Sequence, residues 1–123
     1  MWKRILARRA VLAGAIVGVL PSRRVWAHAI LEESDPKANG SVPAGSVTLK
    51  LRFNSRIDRA RSRLTLTGPG NAKTVVPIDS DGPPDRMTAT VSLTQGAYTL
   101  RWQVLAIDGH ITRGDVPFTV TGH

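Results

Sequence analysis

An all-β fold, a small antiparallel sandwich or Greek-key barrel, is predicted by three features of this 123-residue sequence. Apolar and polar residues alternate with a period of two over several short runs. Clusters of Gly, Pro, Asn and Asp separate those runs, and no stretch beyond residue 27 keeps the helical period of an amphipathic helix.

The segment before the first strand has a different character. Met1 to Ala27 opens with Lys3, Arg4, Arg8 and Arg9, continues through an apolar run from Ala10 to Leu20, and closes on Pro21 and Val25-Trp26-Ala27. This is the pattern of a secretory signal peptide. Its apolar run of 11 residues is too short to cross a bilayer, which takes roughly 20, and polar sequence follows it. Val25 and Ala27 suit the residues that precede a signal-peptidase cut, so cleavage is expected between Ala27 and His28. Arg8-Arg9 also has the paired arginines of a twin-arginine signal, and both that route and ordinary Sec export stand. The expected organisation is a removed segment, 1–27, and a single exported domain, 28–123, that is not embedded in a membrane.

Removing that segment changes the charge argument. Six of the 17 Lys and Arg residues lie within it and none of the nine Asp and Glu residues do, which leaves 11 cations against nine anions, a net charge of +2. The apparent nucleic-acid signature of a pI near 11.3 therefore belongs mostly to a discarded peptide. Arg56, Arg59, Arg61 and Arg63 remain as a basic cluster with no interleaved aromatic residue, which reads as a solvated loop. The remaining 96 residues suffice for one small core, expected as a monomer. Cysteine is absent, so disulfides, blue-copper centres and Cys-rich zinc sites are all excluded.

The strands follow in order. Val47, Leu49, Leu51 and Phe53 alternate with polar residues, as do Leu64 with Leu66, and Ala89 and Val91 with Leu93. The longest run, Ala97 to Ile107, puts Tyr98, Leu100, Trp102 and Val104 on one face, read as core. Val116, Phe118 and Val120 repeat the pattern, with Pro117 suggesting an edge or a bulge. Turn chemistry stands between them at Asp35-Pro36, Asn39-Gly40, Gly68-Pro69-Gly70-Asn71, Asp81-Gly82-Pro83-Pro84 and Gln95-Gly96. Asp79 to Asp85 carries three aspartates around Gly82 but lacks calcium-loop spacing, and reads as a surface loop. Some seven such strands suit a cupredoxin-like or immunoglobulin-like sandwich.

Chemistry has few candidates. Beyond Ala27 the imidazoles are His28, His110 and His123, the last read as a frayed tail. Cleavage before His28 would give that residue a free α-amine, which can close a chelate ring with its own imidazole. Asp108-Gly109-His110 follows the longest strand, and Gly109 permits a turn that converges the flanking side chains. Together these supply three nitrogens and a carboxylate oxygen, a set suited to tetragonal Cu(II), with zinc as the competing occupant. Met87 falls in a strand and reads as core, which leaves no thioether cluster for Cu(I). An ordinary turn is the plain alternative for Asp108-Gly109-His110.

The same residues carry a resemblance to the CopC-like periplasmic copper-binding proteins. It runs from His28-Ala29-x-Leu31-x-x-Ser34-x-Pro36-x-x-Gly40, through the Val47-x-Leu49 and Phe53 spacing, to Gly96-x-Tyr98-x-Leu100-x-Trp102, Asp108-Gly109-His110, Gly114 and Phe118-x-Val120. The resemblance implies a cupredoxin-like barrel binding one Cu(II) through the amine and imidazole of His28, the carboxylate of Asp108 and the imidazole of His110. It also implies a role in periplasmic copper homeostasis or resistance, beside a CopD-like membrane permease. Phe53-Asn54-Ser55 departs from the Phe-Ser-Glu common in that family, so an acidic neighbour is missing, and Asn54 or Ser55 is left to hydrogen-bond a metal-bound water. Two other classes share parts of the pattern. A histidine-brace copper oxidative enzyme also uses an N-terminal His with a second His, and a metal-free β-sandwich interaction module would need neither.

Overall fold

Alternation becomes architecture through burial of one face of each strand. A computed structural model describes residues 29–122; the segment 1–27, His28 and His123 lie outside the described residues. Eight strands run in chain order: β1 (Leu31–Asp35), β2 (Gly40–Pro43), β3 (Gly45–Phe53), β4 (Ile57–Thr67), β5 (Lys73–Val76), β6 (Arg86–Leu93), β7 (Gly96–Ala106) and β8 (Ile111–Thr121). They form a three-stranded sheet in the order β1-β3-β6 and a five-stranded sheet in the order β2-β8-β7-β4-β5.

Between the sheets lies the core that the period-two pattern predicts. Leu49, Leu51 and Phe53 of β3, Met87 and Ala89 of β6, Leu100 and Val104 of β7, and Val120 of β8 are all buried. Burying each large side chain contributes about 1.5–3 kcal/mol relative to leaving it in water. Phe53 meets Trp102 edge-on, with ring centroids 5.2 Å apart, and Tyr98 stacks on Phe118 at 5.7 Å. Those two contacts join β3 to β7 and β7 to β8. Gly114, opposite Trp102 in the β7–β8 register, leaves the room the indole needs: a Cβ there would lie 2.4 Å from Trp102 Cζ2.

Three expectations are corrected. All pairings are antiparallel but one: β2 runs parallel to β8, Gly40 opposite Phe118 through Pro43 opposite Thr121. Pro117 is not on an edge strand, because β8 lies between β2 and β7. Its carbonyl accepts from Asn39 N–H on the β2 side, one residue before β2 pairing begins, so the missing proline N–H removes no rung shared with β7.

The arginine cluster is the third correction, since Arg59, Arg61 and Arg63 stand on strand β4 and not on a loop. Arg59 reaches across to the 79–85 segment and donates to the carbonyls of Pro83 at 2.7 Å, Arg86 at 3.0 Å, Gly82 at 3.2 Å and Ser80 at 3.4 Å. A guanidinium has five N–H donors in a fixed fork, which is what gathering several carbonyls requires. Backbone bonds from Phe53 N to Asp85 O and from Ile57 N to Pro84 O complete the attachment. The aspartate-rich segment is thus a surface loop held by carbonyl contacts.

Candidate metal centre

At one end of the sandwich β7 stops at Ala106 and β8 starts at Ile111, and the turn between them is held by its own backbone. Gly109 N–H donates to Ala106 O at 2.9 Å, and Ala106 N–H to His110 O at 2.8 Å. Gly109 adopts φ +90°, a left-handed conformation that an L side chain rarely takes, which is why glycine stands there. The strand entering this turn is braced as well. Between Asp58 and Arg63 the β4 register slips against β7, and Ser62 fills the gap. Its hydroxyl donates to Asp58 O at 2.7 Å and accepts from Leu105 N–H at 3.2 Å.

Within the turn the two side chains converge as the sequence predicts. Asp108 Oδ1 accepts from the His110 backbone N–H at 3.0 Å, and Asp108 Oδ2 lies 2.8 Å from His110 Nδ1. The first contact fixes the carboxylate and the second brings an oxygen and a nitrogen donor together. Asp108 is three-quarters covered, with 25% of its side chain exposed, while His110 is 61% exposed. The carboxylate is therefore the more covered of the two and the imidazole faces solvent.

Neighbouring chain segments bring the first described residues to the same corner. Thr112 Oγ1 donates to Ala29 O at 2.8 Å, and Thr112 follows His110 by two positions. Ala29 is fully buried in the core. Ile30 is bracketed by Asn54: its N–H donates to Asn54 Oδ1 at 2.8 Å, and its carbonyl accepts from Asn54 N–H at 3.0 Å. Asn54 Oδ1 therefore accepts from the backbone, a role the sequence did not predict for it. Ser55 Oγ and Trp102 Nε1 are buried with no hydrogen-bond partner among the described residues.

Asp108 and His110 bring together one oxygen donor and one nitrogen donor. Among the described residues no group of three or more His, Cys, Asp or Glu is gathered so as to hold a metal, and His28 and His123 lie outside them. Met87 is fully buried, as expected, and supplies no surface thioether. The donor chemistry of the pair, one carboxylate oxygen and one imidazole nitrogen, suits a divalent first-row ion. Thr112 was not singled out by sequence reasoning, and Asn54 was singled out for a different role. The signal that could have found Thr112 was its period-two spacing from His110.

Three of the four large hydrophobic side chains exposed among the described residues are sequence neighbours of these positions: Ile107 precedes Asp108, Ile111 follows His110 and Ile30 follows Ala29. No described helix is long and apolar enough to cross a membrane.

Comparison with known proteins places this arrangement. The CopC domain matches residues 31–121. Protein YobA of Escherichia coli strain K12 is 35% identical over 106 residues, spanning 83% of this chain and 84% of its own. The solved structure of CopC from Methylosinus trichosporium OB3b superposes with a TM-score of 0.69 at 29% identity, over 78% of this chain and 96% of that one. PcoC, a methionine-rich copper resistance protein from Escherichia coli, gives a TM-score of 0.63 at 27% identity, over 77% of this chain and 100% of that one. Of the two sandwich types expected from the strand pattern, the fold is thus the cupredoxin-like one. With a domain match that covers every described strand and a relative at 35% identity, the chain belongs to the CopC family.

Proposed function

We propose that the protein is an exported Cu(II)-binding protein of periplasmic copper homeostasis or resistance, and that it binds copper without acting as an enzyme. One Cu(II) is held by the α-amine and imidazole of His28, the carboxylate of Asp108 and the imidazole of His110. The observation that carries this reading is the contact between Thr112 and Ala29, because it ties the chain directly after position 28 to the strand directly after His110. Consecutive Cα atoms are about 3.8 Å apart, so the Ala29 contact supports a His28 terminus within reach of the Asp108–His110 pair. Copper stands at the top of the Irving-Williams order, and three nitrogens with one oxygen suit its tetragonal Cu(II) form.

Family membership supports the copper reading, since the solved relative PcoC is described as a copper resistance protein. Complete burial of Met87 and the absence of cysteine favour Cu(II) over Cu(I). The signal sequence supports a periplasmic location with residues 1–27 removed, leaving 28–123 as one domain. A monomer passing or buffering its ion, with a CopD-like permease as partner, fits the same reading, and Ile30, Ile107 and Ile111 would give such a partner apolar area around the metal. The test is recovery of the exported protein, determination of its first residue and measurement of bound metal after dialysis against Cu(II). A terminus at His28 with one copper per chain is expected; a different first residue, or copper lost on dialysis, would reject the ligand set.

A further inference from the structure

Chain ends ordinarily fray, because few contacts compensate the entropy of holding them. Here three consecutive polar groups of the backbone, Ala29 O, Ile30 N–H and Ile30 O, are each held by a residue far away in sequence. Thr112, 83 positions on, takes the first at 2.8 Å, and Asn54, 24 positions on, takes the other two at 2.8 and 3.0 Å. None of this belongs to a regular ladder, since β1 begins only at Leu31 and its register against β3 shifts between Leu31 and Glu33. The buried methyl of Ala29 adds an apolar anchor.

Resting on the ligand set proposed above, we infer that Thr112 and Asn54 form a latch that sets the register of the N-terminal segment against the Asp108–His110 pair. They are positioning residues and bind no metal themselves. The reason is entropic. A chelate whose ligands come from a loose terminus and from a fixed turn must order the terminus on binding, and a terminus already ordered by the fold avoids that cost. Asn54 Oδ1 reaches the Ile30 N–H, so one residue accepts through its side chain and donates through its backbone to the same neighbour. Hydrogen-bonding partners one step beyond the ligands typically alter metal affinity roughly 10–100-fold, and that is the range expected here.

The decisive substitution is Thr112→Val, which keeps the shape and removes the donor, compared with Thr112→Ser, which keeps the hydroxyl, and with Asn54→Ala. Each is made in the full-length chain and recovered after export. Two readouts are taken: amide hydrogen exchange at Ile30 in metal-free protein, and Cu(II) affinity by competition titration with electron paramagnetic resonance. The latch predicts a protected Ile30 amide in the wild type, faster exchange in Asn54→Ala, and about tenfold or greater loss of Cu(II) affinity in Thr112→Val, rescued in Thr112→Ser. A fourth protein, with one extra residue before His28, separates positioning from general weakening, because in that background Thr112→Val should change nothing further. Wild-type copper affinity in both Thr112→Val and Asn54→Ala overturns the latch while leaving the ligand set intact. Unprotected Ile30 in the wild type overturns it with no reference to copper. Failure of the wild type to bind Cu(II) would reject the ligand set and the latch's role together.

Discussion

The hydroxyl of Thr112 donates to the carbonyl of Ala29 at 2.8 Å, joining the start of the described chain to the start of its last strand. Sequence separation between the two is 83 residues, so the contact exists only once both sheets have formed. It ties Ala29, the first described residue, to the strand that leaves the β7–β8 turn carrying Asp108 and His110.

Copper affinity should fall as pH falls. A free α-amine and imidazoles coordinate only after losing their protons, and their ordinary pKa values are about 8 and about 6.5. Competition titrations between pH 8 and pH 5 should show steady weakening, steepest where both kinds of nitrogen take up protons. Affinity constant over that range would speak for a site made of carboxylates.

Gly114→Ala should destabilise the fold by about 1–3 kcal/mol, as overpacking of a dense core does. The added Cβ would lie 2.4 Å from Trp102 Cζ2 and 2.9 Å from Trp102 Nε1, so the indole must shift and disturb its edge contact with Phe53. Chemical denaturation followed by tryptophan fluorescence reads both the lost stability and the altered ring environment. An unchanged midpoint would mean that Trp102 has room to move.

Replacing Arg59 by methionine keeps much of the stem and removes the fork that gathers four carbonyls. The loss should be on the order of 1 kcal/mol and local, with the 79–85 segment becoming more open to proteolysis while the sandwich stays folded. Limited proteolysis with mapping of the first cut tests this. Cleavage elsewhere first, or no change in rate, would remove the clamp role.

Acid stability should draw on the cross-strand pair Arg101 and Asp115. Their two parallel contacts are both 2.9 Å, and the hydrogen bond from Arg101 holds the Asp115 carboxyl below its ordinary range. A carboxylate whose folded pKa is depressed contributes stability that is present above its unfolded pKa, about 3.9, and is lost as pH falls through the lower folded value. Asp115→Asn should therefore cost a little stability at neutral pH and nothing at the acid end. Because the pair is exposed, the difference is small and should shrink further in high salt.

The sequence made some parts of this molecule legible and hid others for physical reasons. Strands with one buried face, such as β3, β6 and β7, announce themselves because alternation is the direct consequence of a half-buried pleat. β1, β2 and β5 do not, since Leu31–Asp35 and Gly40–Pro43 bury no residue fully and Lys73–Val76 buries only Val76. The parallel β2–β8 pair was equally hidden, because strand direction is set by where the chain returns and not by any local residue pattern. Asp108 and His110 could be read together from their spacing, and the turn does unite them. Arg59 was misread as a solvated charge because its partners are backbone carbonyls, which leave no complementary acid in the sequence. Thr112 escaped for the same reason, and Asn54, although singled out, was given another role: each is a polar residue whose partner is a peptide group far along the chain.

The most direct test of the central claim is Cu(II) titration of the exported protein with its His28 terminus, followed by electron paramagnetic resonance, beside His110→Ala and a form with one residue added before His28. The account predicts one tetragonal, nitrogen-rich Cu(II) centre per chain in the native form, lost in His110→Ala and much weakened when the terminal amine becomes an amide. Binding that is weak, variable in stoichiometry and indifferent to both changes would contradict it.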